Sequence, residues 1–292
     1  MGAVLALVEP ALSGQVEGVH DFRVAARSLR AALRTLLRKR ESGFARRVRK
    51  ALQVATQALA GPRDRDVGRS LLIKRSPASA DDAGYRRRVT GLAESHRRLA
   101  LTRSVRLWPR DLDRLLIRLL HRGETPVEVV IRRGRAEAWR QRRRAIEALN
   151  ALGRRYDAIR LHDLRRRVRS LRYAIEVLSE VDSTASARAI RLKPLQSALG
   201  DIQDLIVLSR WLATQASRFR RRDPSFAAAL RQDSARFRAK SVAAHAAFLK
   251  LRPAAVLERL ALHVDPHAAL PPLPPRTRGK RTRASTEAPC QK

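Results

Sequence analysis

The sequence predicts an all-α protein, and three observations carry that prediction. Ala, Leu and Arg dominate while aromatics make up only 4%, and those three residue types lose least on entering a helix. Apolar residues recur every three or four positions, the period of one helix face. Polar or Pro/Gly-containing breaks divide the chain into helix-length pieces. With 292 residues, 44% of them hydrophobic, the chain can bury one large core or two of ordinary size.

The elements follow in order. A first helix is expected near 18–40, with Val19, Phe22, Ala26, Leu29, Leu33 and Leu36 as its apolar seam. A second near 43–60 ends at Gly61–Pro62, and a third follows near 64–74. Longer helices near 84–107 and 110–121 lie between the breaks Arg75–Gly84 and Gly123–Pro126. The segment 135–159 either closes this set or runs on into the next. Then come 160–180, 186–199, a break at Gly200–Asp201, 202–221 and 225–250. From about Asp265 the chain reads PPLPPRTRGKRTR, the composition of a flexible tail without a core. The organisation is therefore a first helical bundle over 1–125, a second over 126–264 and a tail over 265–292.

An internal repeat underlies the division. HDFRVAARSLRAAL begins at His20 and HDLRRRVRSLRYAI at His162, 142 residues later. LAGPRDRDV from Leu59 and LGDIQDLIV from Leu199 match at an offset of 140. Two separate matches at nearly one offset imply a duplicated unit of about half the chain.

The repeat arranges its cations. His20, Arg23, Arg27, Arg30 and Arg34 follow the spacing of the apolar seam one residue later, about 100° around the helix. In the second unit the seam is Leu161, Leu164, Val168, Leu171, Ile175 and Leu178, with His162, Arg165, Arg169 and Arg172 beside it and Glu176 ending the run. Like charges at this spacing oppose an isolated helix by a few tenths of a kcal/mol each. Repeated in both halves, they point to a ligand rather than to a solvated face. The arginine fork suits phosphate, donating two parallel hydrogen bonds. Either histidine could add a donor that gains charge as pH falls. Asp21, Asp163, Asp64 and Asp204 are the available carboxylates, too few to neutralise both stripes.

The net charge of +36 calls for a polyanionic partner: nucleic acid, an anionic membrane or polyphosphate. Base recognition separates these. Trp108, Trp139 and Trp211 share no stripe, as single-strand stacking would need, and the stripes lack the Asn and Gln that reach base edges. Nucleic acid remains the alternative partner, and an accessory role beside a phosphohydrolase or kinase is a weaker third. No 18-residue apolar run is present, so no membrane span is expected. Neither a secretory leader nor a disulfide framework is expected, Cys290 being the sole cysteine; the default is a cytoplasmic protein.

The doubled pattern H-x-x-R-x-x-x-R-x-x-R at His20 and His162, each followed by a leucine-led break with an Asp, resembles the CHAD domain, the conserved-histidine α-helical domain. The resemblance covers about residues 10–255. It implies two tandem four-helix bundles related by a pseudo-twofold axis, with a central basic channel. It also implies binding of inorganic polyphosphate and, for some members, association with polyphosphate granules. Carried over by position, the binding set is His20, Arg23, Arg27 and Arg30, then His162, Arg165, Arg169, Arg172 and Tyr173. Lys193 matches a further basic position, and Arg34 and Lys50 extend the first set. Gln53 stands opposite Lys193 in the repeat, so the halves are expected to bind unequally. Arg63 becomes Gln203 and Asp66 becomes Ile206, which marks that break as structural. Pro194 is expected in the first turn of a helix, fixing its direction, and Asp64 and Asp204 are expected to cap helices or orient arginines.

No enzyme is expected. Glu128-Val-Val-Ile-Arg132 lacks the second glutamate and the lysine of the E-x-E-x-K signature that often accompanies this domain. Gly279-Lys280 has none of the context of a phosphate loop. His263 and His267 flank Pro266 and share no helix face, so neither a metal nor any other cofactor is expected. Asp81/Asp82 and Asp111/Asp113 lack a catalytic companion.

Overall fold

Helix-period apolar residues organise the chain as the sequence predicts. The structure, a computed structural model, describes residues 2–36, 42–74, 80–121, 126–179 and 181–260. These form helices and no strand: α1 (Gly2–Ala6), α2 (Val8–Leu12), α3 (Val16–Leu36), α4 (Ser42–Ala58), α5 (Ala60–Ile73) and α6 (Ala80–Arg106). They continue with α7 (Leu112–Leu120), α8 (Val127–Leu152), α9 (Ala158–Ser179), α10 (Ser183–Phe219), α11 (Pro224–Lys250) and α12 (Pro253–Glu258).

Three apolar clusters hold these helices. Val19, Phe22, Leu52, Leu59 and Leu116 join α3, α4 and α7, with α1 and α2 packed against them. Leu149, Leu164, Leu171, Ile175, Leu192 and Leu199 join α8, α9 and the first part of α10. Leu72, Val89, Leu212, Phe226 and Phe237 join α5 and α6 to the second part of α10 and to α11. The third cluster therefore draws on both halves of the sequence. Each fully buried Leu or Phe contributes about 1.5–3 kcal/mol relative to exposure.

Besides the short helices α1, α2 and α12, which have no counterpart among the expected elements, two elements differ from the sequence expectation. No break occurs at Gly200–Asp201: α10 runs unbroken from Ser183 to Phe219. Leu199, Ile202 and Ile206 are all buried there, and a glycine penalty of about 1 kcal/mol does not outweigh that packing. Pro194 accordingly sits inside the helix instead of in its first turn. The carbonyl that loses its partner belongs to Ile190, an exposed residue. The second difference is α8, which starts at Val127 and stops at Leu152. Gly153 ends it with φ of 61°, a left-handed conformation that suits glycine.

The equivalent point in the first half does break, between Ala58 and Ala60. Pro62 has no N–H for the carbonyl of Ala58. The hydroxyl of Ser104, fully buried, lies 2.8 Å from that carbonyl and 2.8 Å from the carbonyl of Ala100, and its single proton serves one or the other. Ser104→Ala should therefore remove this donor from a half-buried carbonyl and cost about 0.5–1.5 kcal/mol, read as a lowered urea midpoint. An unchanged midpoint would mean that water reaches the carbonyl of Ala58.

Candidate anion-binding site

The stripe residues sit beside the core seams, so where α3 packs against α9 their cations meet. Arg23 and Arg27 of α3 lie within electrostatic reach of Arg165 and Arg169 of α9. Burial, and then Arg27, hold Arg169 down to about 10. Burial and Arg27 likewise bring Arg23 to about 10. Burial also lowers Arg27 and Arg30, with Arg34 and Arg49 the next influences on Arg30. All stay cationic at neutral pH. The depression records the free energy of desolvating these cations and of crowding them together. A polyanion placed among them would relieve it.

Several of these side chains are fixed from behind. A terminal nitrogen of Arg23 donates to the backbone carbonyl of Thr56 in α4. Nε of Arg27 donates to the carbonyl of Arg23 at 2.7 Å, leaving its terminal nitrogens toward the cluster. Tyr173, buried at 7% exposure, lies beside Arg27 and Arg169. Among the described residues Arg27, Arg165 and Arg169 make no ion pair with a carboxylate within 4 Å. Arg172 does, bonding Glu176 at 2.6 Å, so the second stripe is neutralised at its end.

Two carboxylates at matched repeat positions approach the cluster from α5 and α10. Burial raises Asp64 although Arg23, Arg65 and Arg165 pull it down. Burial raises Asp204 to about 6 against Arg165 and Arg63, with Asp64 adding to the rise. Neither caps a helix. Asp64 lies inside α5, whose N-cap is Leu59 without a side-chain bond, and Asp204 lies in the middle of α10. Their place is among the arginines.

With this geometry in view, a sequence model of the CHAD domain matches residues 2–213. The chain belongs to the CHAD family. A structure search finds the crystal structure of the CHAD domain from the plant Ricinus communis, with a TM-score of 0.64 and 19% identity. That match covers 88% of this chain and 87% of the other, and it supports the fold. Comparison with curated protein sequences gives no match.

Not every residue expected at the site of this CHAD chain meets the cluster. His20 is exposed yet lies within electrostatic reach of Arg27 and Arg23, and burial followed by Arg63 pushes it below the usual imidazole value. His162 is also exposed, with Nδ1 3.0 Å from Oε1 of Gln203. Arg34 lies beside Arg30. Lys50 is exposed and lies on the face of α4 shared with Val54 and Gln57, which line a separate groove. Its neighbour Arg49 is the α4 residue that reaches Arg30. Lys193 is exposed; it precedes Asp204 by about three turns and shares that helix face, roughly 16 Å away.

Arg63 is the residue that sequence reasoning missed. Its place in a break suggests a structural role, yet it influences His20, Arg23, Arg27, Asp64 and Asp204. The signal was available in the repeat: His20 relates to Arg63 as His162 relates to Gln203. Asp66 does serve structure, pairing with Arg97 of α6, while its counterpart Ile206 is simply buried. Among the described residues no group of His, Cys, Asp or Glu could hold a metal, and no helix is long and apolar enough to cross a membrane. His263, His267 and the basic tail lie outside the described residues.

Proposed function

We propose that this chain binds inorganic polyphosphate without catalysis, and that it acts in the cytoplasm, addressed to polyphosphate granules or organising them. Some members of the CHAD family bind polyphosphate. The observation that carries the reading here is the meeting of Arg23, Arg27, Arg165 and Arg169 from two helices, half-buried and, for the last three, unpaired with carboxylates. On this reading the matched halves are related by a pseudo-twofold axis and form two four-helix bundles. The two stripes then line one basic channel.

Polyphosphate fits better than nucleic acid because the cluster offers charge and forks but no stacking surface. Its one aromatic, Tyr173, is buried, whereas strand binders stack bases on exposed rings. Four phosphate contacts would give a slope of log K against log salt of roughly −3, by analogy with flexible strands.

Competition titration of labelled long-chain polyphosphate tests the assignment. Unlabelled polyphosphate should displace the label, while orthophosphate and duplex DNA of matched charge should need at least about tenfold more. Equal displacement by the DNA would remove the basis for polyphosphate.

A further inference from the structure

A second cationic surface lies apart from the arginine cluster. It is a groove of about 820 Å³ between α6 and α10, floored by α4 and α5. Leu99 and Arg103 on α6 and Leu107 just past its end follow one another at four-residue steps along one wall. The two leucines are 61% and 62% exposed. The facing wall is the stretch of α10 from Val207 to Arg218, about 16 Å long. Arg103, Arg210 and Arg218 are exposed, and no carboxylate lines the groove. Among the described residues none of the three makes an ion pair.

We propose that this groove docks an acidic amphipathic helix of a partner protein, about three turns long. Its apolar side covers Leu99 and Leu107, and its carboxylates meet Arg103, Arg210 and Arg218. The groove sets these two exposed leucines beside three cations that pair with no carboxylate among the described residues, so a partner that fills it needs an apolar face flanked by acidic side chains. A helix laid between two helices presents side chains at the matching three- and four-residue spacing. An opposite charge is required, because the groove brings only cations.

Other occupants match less of this chemistry. A bare phosphate chain has nothing apolar to set against the leucines. A nucleic-acid strand would need a free ring, and Trp211 offers none. The guanidinium of Arg65 lies 5.0 Å over its face, and its indole N–H donates to Nδ1 of His96 at 3.3 Å. A second copy of this chain would bring another +36 charges to a positive groove.

The probe is a labelled 14-residue peptide of Leu, Glu and Ala with its leucines on one helical face. A shuffled peptide of identical composition is the control. Fluorescence anisotropy with the full chain at physiological salt should show the patterned peptide binding at least tenfold tighter. Leu99→Glu with Leu107→Glu should remove that advantage, and both positions are exposed enough to leave the cores intact. Arg103→Glu with Arg210→Glu should weaken binding to a similar extent. Arg27→Glu with Arg169→Glu, in the other cluster, should leave it unchanged, which separates this site from polyphosphate binding. Equal binding of the two peptides would overturn the proposal, as would indifference to both groove variants. Displacement by a single-stranded oligonucleotide of matched charge as readily as by unlabelled peptide would overturn it in favour of nucleic acid.

Discussion

Replacing Arg27 and Arg169 together by glutamate is expected to lower affinity for long-chain polyphosphate by roughly two to four orders of magnitude. A charge-assisted hydrogen bond to phosphate is worth about 1.5–3 kcal/mol, and about 1.4 kcal/mol is tenfold. Repulsion from the new carboxylates adds to the effect. These two side chains, one on α3 and one on α9, lie within electrostatic reach of each other, so their reversal strikes both stripes where they meet. The fold should survive. The native arrangement is one of mutual repulsion between desolvated cations, and no ion pair with a carboxylate is broken. Arg27→Glu alone supplies a useful contrast. It places a carboxylate opposite Arg169, and should raise the thermal midpoint while weakening binding. Full affinity in the double variant, measured by titration at fixed salt, would place the polyanion elsewhere, with Arg276–Arg283 of the tail the next candidate.

The all-α class and most helix positions were legible because apolar spacing reports helix faces directly. The seam from Val19 to Leu33 and the one from Leu161 to Leu178 are largely buried as expected. What the pattern could not give was continuity. Gly200 and Pro194 read as local breaks, yet burial of Leu192, Leu195, Leu199 and Ile202 carries α10 through both. The break expected at Gly61–Pro62 falls at Leu59, two residues earlier, and there a side chain from a distant helix, Ser104, reaches the freed carbonyl. Such compensation is tertiary and leaves no local trace. The site divides in the same way. Stripe residues on one helix could be read from spacing, whereas Arg63, Arg49 and the acidic pair reach it only because α4, α5 and α10 pack around α3 and α9. On α4 it is Arg49, the neighbour of Lys50, whose charge reaches Arg30, a choice between adjacent residues that spacing alone does not make.

Asp204→Asn is expected to raise stability near pH 7.5 and to tighten polyphosphate binding there. Burial raises this carboxyl from 3.8 to about 6 in the folded chain, so the folded state binds its proton more firmly than the unfolded state does. The stability linked to that proton is fully present below pH 4 and is lost as pH climbs through 6. A displacement of this size corresponds to about 3 kcal/mol at neutral pH. Asparagine keeps the shape and removes the charge, so the variant should be more stable than the parent at pH 7.5, with only about a third of that advantage left at pH 4.5. Binding follows the same logic. At neutral pH an ionised Asp204 stands beside Arg165 and Arg63 and competes with phosphate for them. Polyphosphate affinity of the parent should therefore rise several-fold as pH falls from 7.5 to 5.5. The variant should start higher and change less. His20 contributes little of this window, because burial and Arg63 hold it below its usual value and it gains charge only at lower pH. Thermal melts and titrations of both proteins at the two pH values decide the matter. A variant that is less stable and binds more weakly at pH 7.5 would show that ionised Asp204 positions Arg165 and Arg63 for the ligand, with that ordering outweighing its charge.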